Sequence, residues 1–123
     1  MASQATILVI EDSVLSQRLV EVVLTSQGFH VVEARTGEEG LRKALDEQPD
    51  LILLDVHLPD MSGYDAVARL RAQPETAHIP IIALTASASA EEEARARDAG
   101  CDGYIAKPIN TRTFPDQVRQ YLG

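Results

Sequence analysis

The chain has 123 residues, 45% apolar and 24% charged, with a formal charge of −8 and a pI near 4.7. That length fits one domain built on one core. The acidic balance argues against direct DNA binding, which depends on Lys and Arg neutralising phosphates, and suits a protein partner or a site that recruits a cation.

Two Phe, three Tyr and no Trp leave the core to aliphatic side chains. Cys101 is the only cysteine, so no internal disulfide can form and a cytoplasmic setting is expected. Its expected role is that of a small buried hydrophobe. No signal peptide is visible, and no apolar run approaches the roughly 20 residues of a membrane span.

The chain alternates short apolar runs with longer amphipathic stretches. Thr6 to Ile10 is β-branched and continuous, as in a strand buried on both faces. Ser13 is a good cap for a helix through about Gln27, with Leu15, Leu19, Val22 and Val23 along its apolar side and Gly28 ending it. His30 to Ala34 reads as a second strand, nearer an edge. Thr36 caps a helix from Gly37 to Glu47, with the capping-box spacing Thr36-Gly37-Glu38-Glu39.

Pro49-Asp50 breaks the chain before Leu51 to Leu54, a fully apolar strand running into Asp55. A helix follows from about Tyr64 to Ala72, then a loop from Gln73 to His78 containing Pro74. A fourth strand, Ile79 to Leu84, enters Thr85. Ala90 to Ala99 is rich in Ala and Glu and strongly helical, closed by Gly100. Gly103 to Ala106 is a short fifth strand ending at Lys107-Pro108. The last helix spans about Thr111 to Tyr121, with Pro115 tolerable only in its first turn. Five strands alternating with five helices predict an α/β, doubly wound parallel sheet. His30 and His78 are expected to be ordinary surface or loop residues.

The chemistry collects at strand ends. Glu11 and Asp12 follow the first strand, Asp55 ends the third, Thr85 the fourth and Lys107 the fifth. Alone, each is commonplace: acids after strands usually cap or turn, and Lys107 before Pro108 is an ordinary surface charge. Open α/β sheets, however, bind ligands outside the carboxyl ends of their strands. If the strands are parallel, these five residues share one rim. Three crowded carboxylates repel one another and couple their protonation. Mg2+ would relieve that repulsion and could bridge them to a phosphate. Lys107 offers a compact charge to a phosphate oxygen, Thr85 a hydroxyl, and Ala86 leaves room beside it. A carboxylate can take up a phosphoryl group as an acyl phosphate.

These residues stand in motifs that run the length of the chain: Ile7-Leu8-Val9-Ile10-Glu11-Asp12, Pro49-Asp50-Leu51-Ile52-Leu53-Leu54-Asp55, Leu58-Pro59-Asp60-Met61-Ser62-Gly63, Ile79-Pro80-Ile81-Ile82-Ala83-Leu84-Thr85-Ala86 and Gly100-Cys101-Asp102-Gly103-Tyr104-Ile105-Ala106-Lys107-Pro108. In this order and spacing the sequence resembles the two-component response-regulator receiver family of the chemotaxis Y type. The resemblance covers Ile7 to Leu122. It implies a flavodoxin-like (βα)5 fold with strand order 2-1-3-4-5.

It also implies roles. Asp55 would accept a phosphoryl group from a phosphohistidine on a sensor histidine kinase or a histidine phosphotransfer protein. Glu11, Asp12, Asp55 and the backbone carbonyl of His57 would hold Mg2+. Lys107, Thr85 and Ala86 would meet the phosphoryl group, and Tyr104 would turn inward when Thr85 moves. The face of the fourth helix, fifth strand and fifth helix would then change for a downstream protein partner. His57 and Ser87, two residues after Asp55 and Thr85, would tune hydrolysis, and the Lys107–Pro108 bond would be cis. The expected activity is confined to self-phosphorylation and slow self-dephosphorylation, with no nucleic acid or membrane as partner.

No effector segment follows the fifth helix, so residues 1–123 are expected to form a single, stand-alone receiver. Three other readings compete. A receiver can serve unphosphorylated as a docking or dimerisation module, against which its complete acidic site argues. A haloacid dehalogenase-like phosphatase also uses a strand-end Asp, but wants a second acid where this chain has His57. A small flavodoxin would need a Ser-, Thr- and Gly-rich loop after the first strand, where Glu11-Asp12 would repel a phosphate.

Overall fold

A computed structural model describes residues 4–87 and 89–122. Its elements are β1 (Thr6–Ile10), α1 (Val14–Ser26), β2 (His30–Ala34), α2 (Gly37–Glu47), β3 (Leu51–Asp55), α3 (Gly63–Ala72), β4 (Ile81–Thr85), α4 (Ala90–Ala99), β5 (Gly103–Ala106) and α5 (Phe114–Tyr121). The five strands form one parallel sheet in the order β2-β1-β3-β4-β5. This is the flavodoxin-like arrangement, and β2 lies at an edge as its mixed composition suggested. The strand order reverses between β1 and β3, which opens a crevice at their carboxyl ends.

The strands sort their side chains with a period of two. Leu8, Ile10, Ile52, Leu54, Ile81 and Ala83 point to one face, where Ala44 of α2, Ala66, Val67 and Leu70 of α3 and Ala96 of α4 cover them. Ile7, Val9, Leu51, Leu53, Ile82, Leu84 and Ile105 point to the other, against Val20 and Leu24 of α1 and Phe114 and Val118 of α5. Each such large aliphatic side chain contributes roughly 1.5–3 kcal/mol on full burial. Cys101 is a free thiol buried on the first face.

The helix caps follow the sequence closely. Ser13, Thr36, Ser62 and Ser89 each accept an amide from the first turn they precede. Gly28 and Gly100 take left-handed φ values of 90° and 113° just past helix ends, where glycine is nearly free of steric cost.

Three expectations need correction. The inward side of α1 is Gln17, Val20 and Leu24, whereas Leu15, Leu19 and Val22 face outward and Val23 is half-buried. The helix carries two apolar stripes, and the polar Gln17 goes inside because its amide donates to the Ala34 carbonyl at 3.0 Å. β4 begins at Ile81 rather than Ile79, since Pro80 has no N–H to give a ladder. α5 begins at Phe114 rather than Thr111, which leaves Pro115 in the first turn where it costs no hydrogen bond.

Candidate functional site

β1 ends at Ile10, and Glu11 follows it with its amide bonded to the Ala34 carbonyl at 2.9 Å. That bond turns the Glu11 side chain into the crevice, where it is 1% exposed. β3 ends on Asp55, 7% exposed, and β4 on Thr85, 3% exposed. Register places Asp55 beside Leu84 and Thr85 beside Ala106, so the ends of β3, β4 and β5 are level. Lys107 follows β5 directly, and its backbone N–H donates to the Thr85 carbonyl at 2.7 Å. The Lys107–Pro108 peptide bond is cis.

The Lys107 ammonium reaches back across the rim. It donates to Glu11 Oε1 at 2.5 Å and to Asp55 Oδ2 at 3.2 Å. The other Asp55 oxygen, Oδ1, accepts the His57 backbone N–H at 3.0 Å. Thus Glu11, Asp55 and Lys107, expected from the sequence to meet, are in direct contact, over separations of up to 96 residues.

The remaining candidates stand around this trio. Asp12 and His57 are exposed and line one cleft with Leu58, Asp60, Met61 and Tyr64. Thr85 Oγ1 accepts the Ser87 N–H at 3.2 Å, and Ala86 and Ser87 are exposed beside it. Tyr104 is half-buried and lies outside the cluster, its hydroxyl 3.4 Å from Glu93 Oε1 on α4.

One ammonium balances two buried carboxylates, so the cluster carries a residual negative charge. Burial pushes the Glu11 carboxyl above its ordinary range, and the Asp55 charge beside it adds to the effect. Burial acts on Asp55 in the same sense, but Glu11, the His57 amide and Lys107 outweigh it and hold Asp55 below its ordinary value. Burial would lower Lys107, yet its two carboxylate partners keep it above its ordinary value. Asp55 is therefore the carboxylate of the pair that holds its charge more strongly.

Among the described residues no three His, Cys, Asp or Glu side chains close into a metal cage. Mg2+ is commonly held by one or two carboxylates plus water and phosphate oxygens. The oxygen-only donors Glu11, Asp12 and Asp55, with their uncompensated charge, fit such an ion.

Three residues in the same region make contacts that were not foreseen. Asp60 Oδ1 and Oδ2 accept the Gly37 and Glu38 amides at 2.8 and 3.0 Å. Tyr64 donates its phenol to Glu92, and Arg95 lies 4.9 Å over its ring. Gln17 bonds the same Ala34 carbonyl that orients Glu11. The polar side chain of Gln17 in an apolar helix was a visible signal, whereas the partners of Asp60 and Tyr64 lie 22 to 28 residues away.

Comparison with known proteins covers nearly the whole chain. The response regulator receiver domain family matches residues 7–119. The polar-differentiation response regulator DivK of Brucella ovis is 37% identical over 118 residues, 96% of each chain. The chemotaxis response regulator CheY4 of Vibrio cholerae superposes with a TM-score of 0.92 at 30% identity, over 97% of this chain and 99% of that one. The receiver domain of a sensor histidine kinase from Pseudomonas aeruginosa PAO1 has a magnesium ion coordinated in its active-site cleft. It superposes with a TM-score of 0.90 at 33% identity, over 98% of this chain and 99% of that one.

Proposed function

This chain belongs to the response regulator receiver family of two-component signalling, and we propose that it is a phosphorylation switch whose acceptor atom is a carboxylate oxygen of Asp55. The observation that carries the reading is the Lys107 bridge. A single ammonium holds Asp55 ionised beside a carboxyl whose own charge is disfavoured. An ionised carboxylate fixed at a strand end is ready to act as a nucleophile.

In the transfer, an Asp55 oxygen bonds to phosphorus while the P–N bond of a donor phosphohistidine breaks. The imidazole departs with the electron pair and is reprotonated by water. Glu11, Asp12, Asp55 and the His57 carbonyl would hold Mg2+, which supplies charge neutralisation for the phosphoryl oxygens. Lys107 gives its ammonium to one of those oxygens. The Thr85 hydroxyl and Ala86 would meet a phosphoryl group on Asp55, and His57 and Ser87 would flank it and set the access of water. Outside the site, Leu15, Leu19 and Val22 are exposed on α1, and Leu19 shares a cleft with Lys107, Pro108 and Ile109. That apolar surface beside the acceptor suits a sensor histidine kinase or a histidine phosphotransfer protein.

For the output, the phosphoryl group brings charge and new acceptor oxygens. Thr85 gives up the Ser87 amide for one of them, and Tyr104 leaves Glu93 and turns inward. The populations of two states shift, and the α4-β5-α5 face changes for a protein partner. The chain acts as a switch rather than as an enzyme with turnover on external substrates.

The test is labelling with acetyl phosphate and Mg2+, followed by peptide mass spectrometry. The wild type takes up one phosphoryl group on the peptide containing Asp55, and Asp55→Asn takes up none. Undiminished labelling of Asp55→Asn at another residue overturns the assignment.

A further inference from the structure

We propose that Asp60 is a positioning residue for this reaction: it clamps the tip of the β3–α3 segment onto the N-terminus of α2 and thereby sets where the His57 backbone stands relative to Asp55. The proposal rests on the reading of Asp55 and His57 just given.

The segment from Val56 to Ser62 leaves β3 at Asp55 and returns to α3. Its base is closed by the Gly63 N–H donating to the Val56 carbonyl at 2.9 Å and by a bridge between His57 and Ser62. Its tip is held from outside. The two Asp60 oxygens accept the Gly37 and Glu38 amides at 2.8 and 3.0 Å. These are the first two amides of α2, which have no partner inside the helix. A carboxylate there gains both charge-assisted bonds and the favourable end of the helix dipole.

A second contact fixes the same tip. A Cβ on Gly37 would lie 2.5 Å from Cγ of Met61. Only a glycine at that position leaves Met61 its seat. Arg69 on α3 adds an exposed ion pair to Glu38 at 3.5 Å.

α2 does not need Asp60 for an ordinary cap. Thr36 Oγ1 accepts the Glu39 N–H at 3.1 Å, and Glu39 Oε1 accepts the Arg35 N–H at 2.8 Å. That capping arrangement is complete within the local sequence. What Asp60 adds is a tie between a finished helix and the segment that carries His57, whose N–H orients Asp55 at 3.0 Å. The far end of the clamp is the site itself.

Three variants separate positioning from plain stability. Asp60→Ala removes the clamp, Asp60→Asn keeps one acceptor, and Thr36→Ala weakens α2 without touching the segment. Amide hydrogen exchange by NMR without metal is measured first. Exchange at His57 and Gly63 should accelerate about tenfold in Asp60→Ala, less in Asp60→Asn, and not at all in Thr36→Ala, even if Thr36→Ala has the lower melting temperature.

Mg2+ titration of the same samples should show affinity reduced about tenfold in Asp60→Ala, the lower end of what partners behind metal ligands are worth, and unchanged in Thr36→Ala. The proposal is overturned if His57 and Gly63 exchange at the wild-type rate in Asp60→Ala, or if Thr36→Ala reproduces the effect. A wild type that binds no Mg2+ would instead refute the metal reading of the site, and the metal-free exchange would still decide the role of Asp60.

Discussion

Lys107 shows how one side chain sets the character of its neighbours. Burying carboxylates is costly unless they are paired, and here two of them share a single ammonium. The pair divides the burden: Glu11 is pushed up and Asp55 is held down. A divalent cation would remove the remaining imbalance. Millimolar Mg2+ should therefore raise the melting temperature, because a ion that binds only the folded chain stabilises it. Asp12 directly follows Glu11 and is exposed, and Asp12→Asn should cut the rise sharply in differential scanning fluorimetry. An unchanged rise removes Asp12 from the ligand set. The acids and the lysine were legible in the sequence because each directly follows an apolar run. Asp60 was not, because its meaning lies in two amides more than twenty residues upstream.

Among the elements, α4 is held through its first turn. Glu92 accepts the Tyr64 phenol from α3, and Glu93 stands 3.4 Å from the Tyr104 hydroxyl of β5. Adjacent residues of one helix thus grip tyrosines on either side. Burial, reinforced by Glu92, pushes the Tyr64 phenol up to about 12. A raised value stabilises the fold fully below the ordinary phenol value near 10 and loses that contribution as pH rises through about 12. Absorbance titration of the phenols should show a late step near pH 12 that Tyr64→Phe eliminates. A late step that survives in Tyr64→Phe belongs to another tyrosine. Element types and most boundaries followed from apolar runs and caps. The facing of α1 did not, since its two apolar stripes are equally regular and only the sheet decides which one is covered.

At the scale of the whole molecule, pH acts on several carboxylates at once. Asp55, Asp60 and Glu39 are all held below their ordinary values, Asp55 against its burial, Asp60 by the Gly37 and Glu38 amides, and Glu39 by the Arg35 amide. Each adds stability that is present above the ordinary carboxylate range and lost as pH falls through its lowered value. Glu11 and Glu33 have the opposite sign, their contributions being lost as pH rises through their raised values. Three groups outnumber two, so urea midpoints should hold from pH 7 to about 5 and fall below about pH 4. Midpoints that stay level down to pH 3 would contradict the lowered values. The parallel order of the strands was implied by their alternation with helices, while the level ends of β3, β4 and β5 came only with the register. That shared edge has a practical side. Glu11 and Lys107 stand 96 residues apart in the chain, with Asp55 between them. A chain that had formed β1 and β3 but not β5 would own both acids and lack the cation that readies Asp55. If Asp55 is the acceptor proposed above, uptake of label from acetyl phosphate would report complete folding and would be silent in an intermediate that has yet to add its last strand.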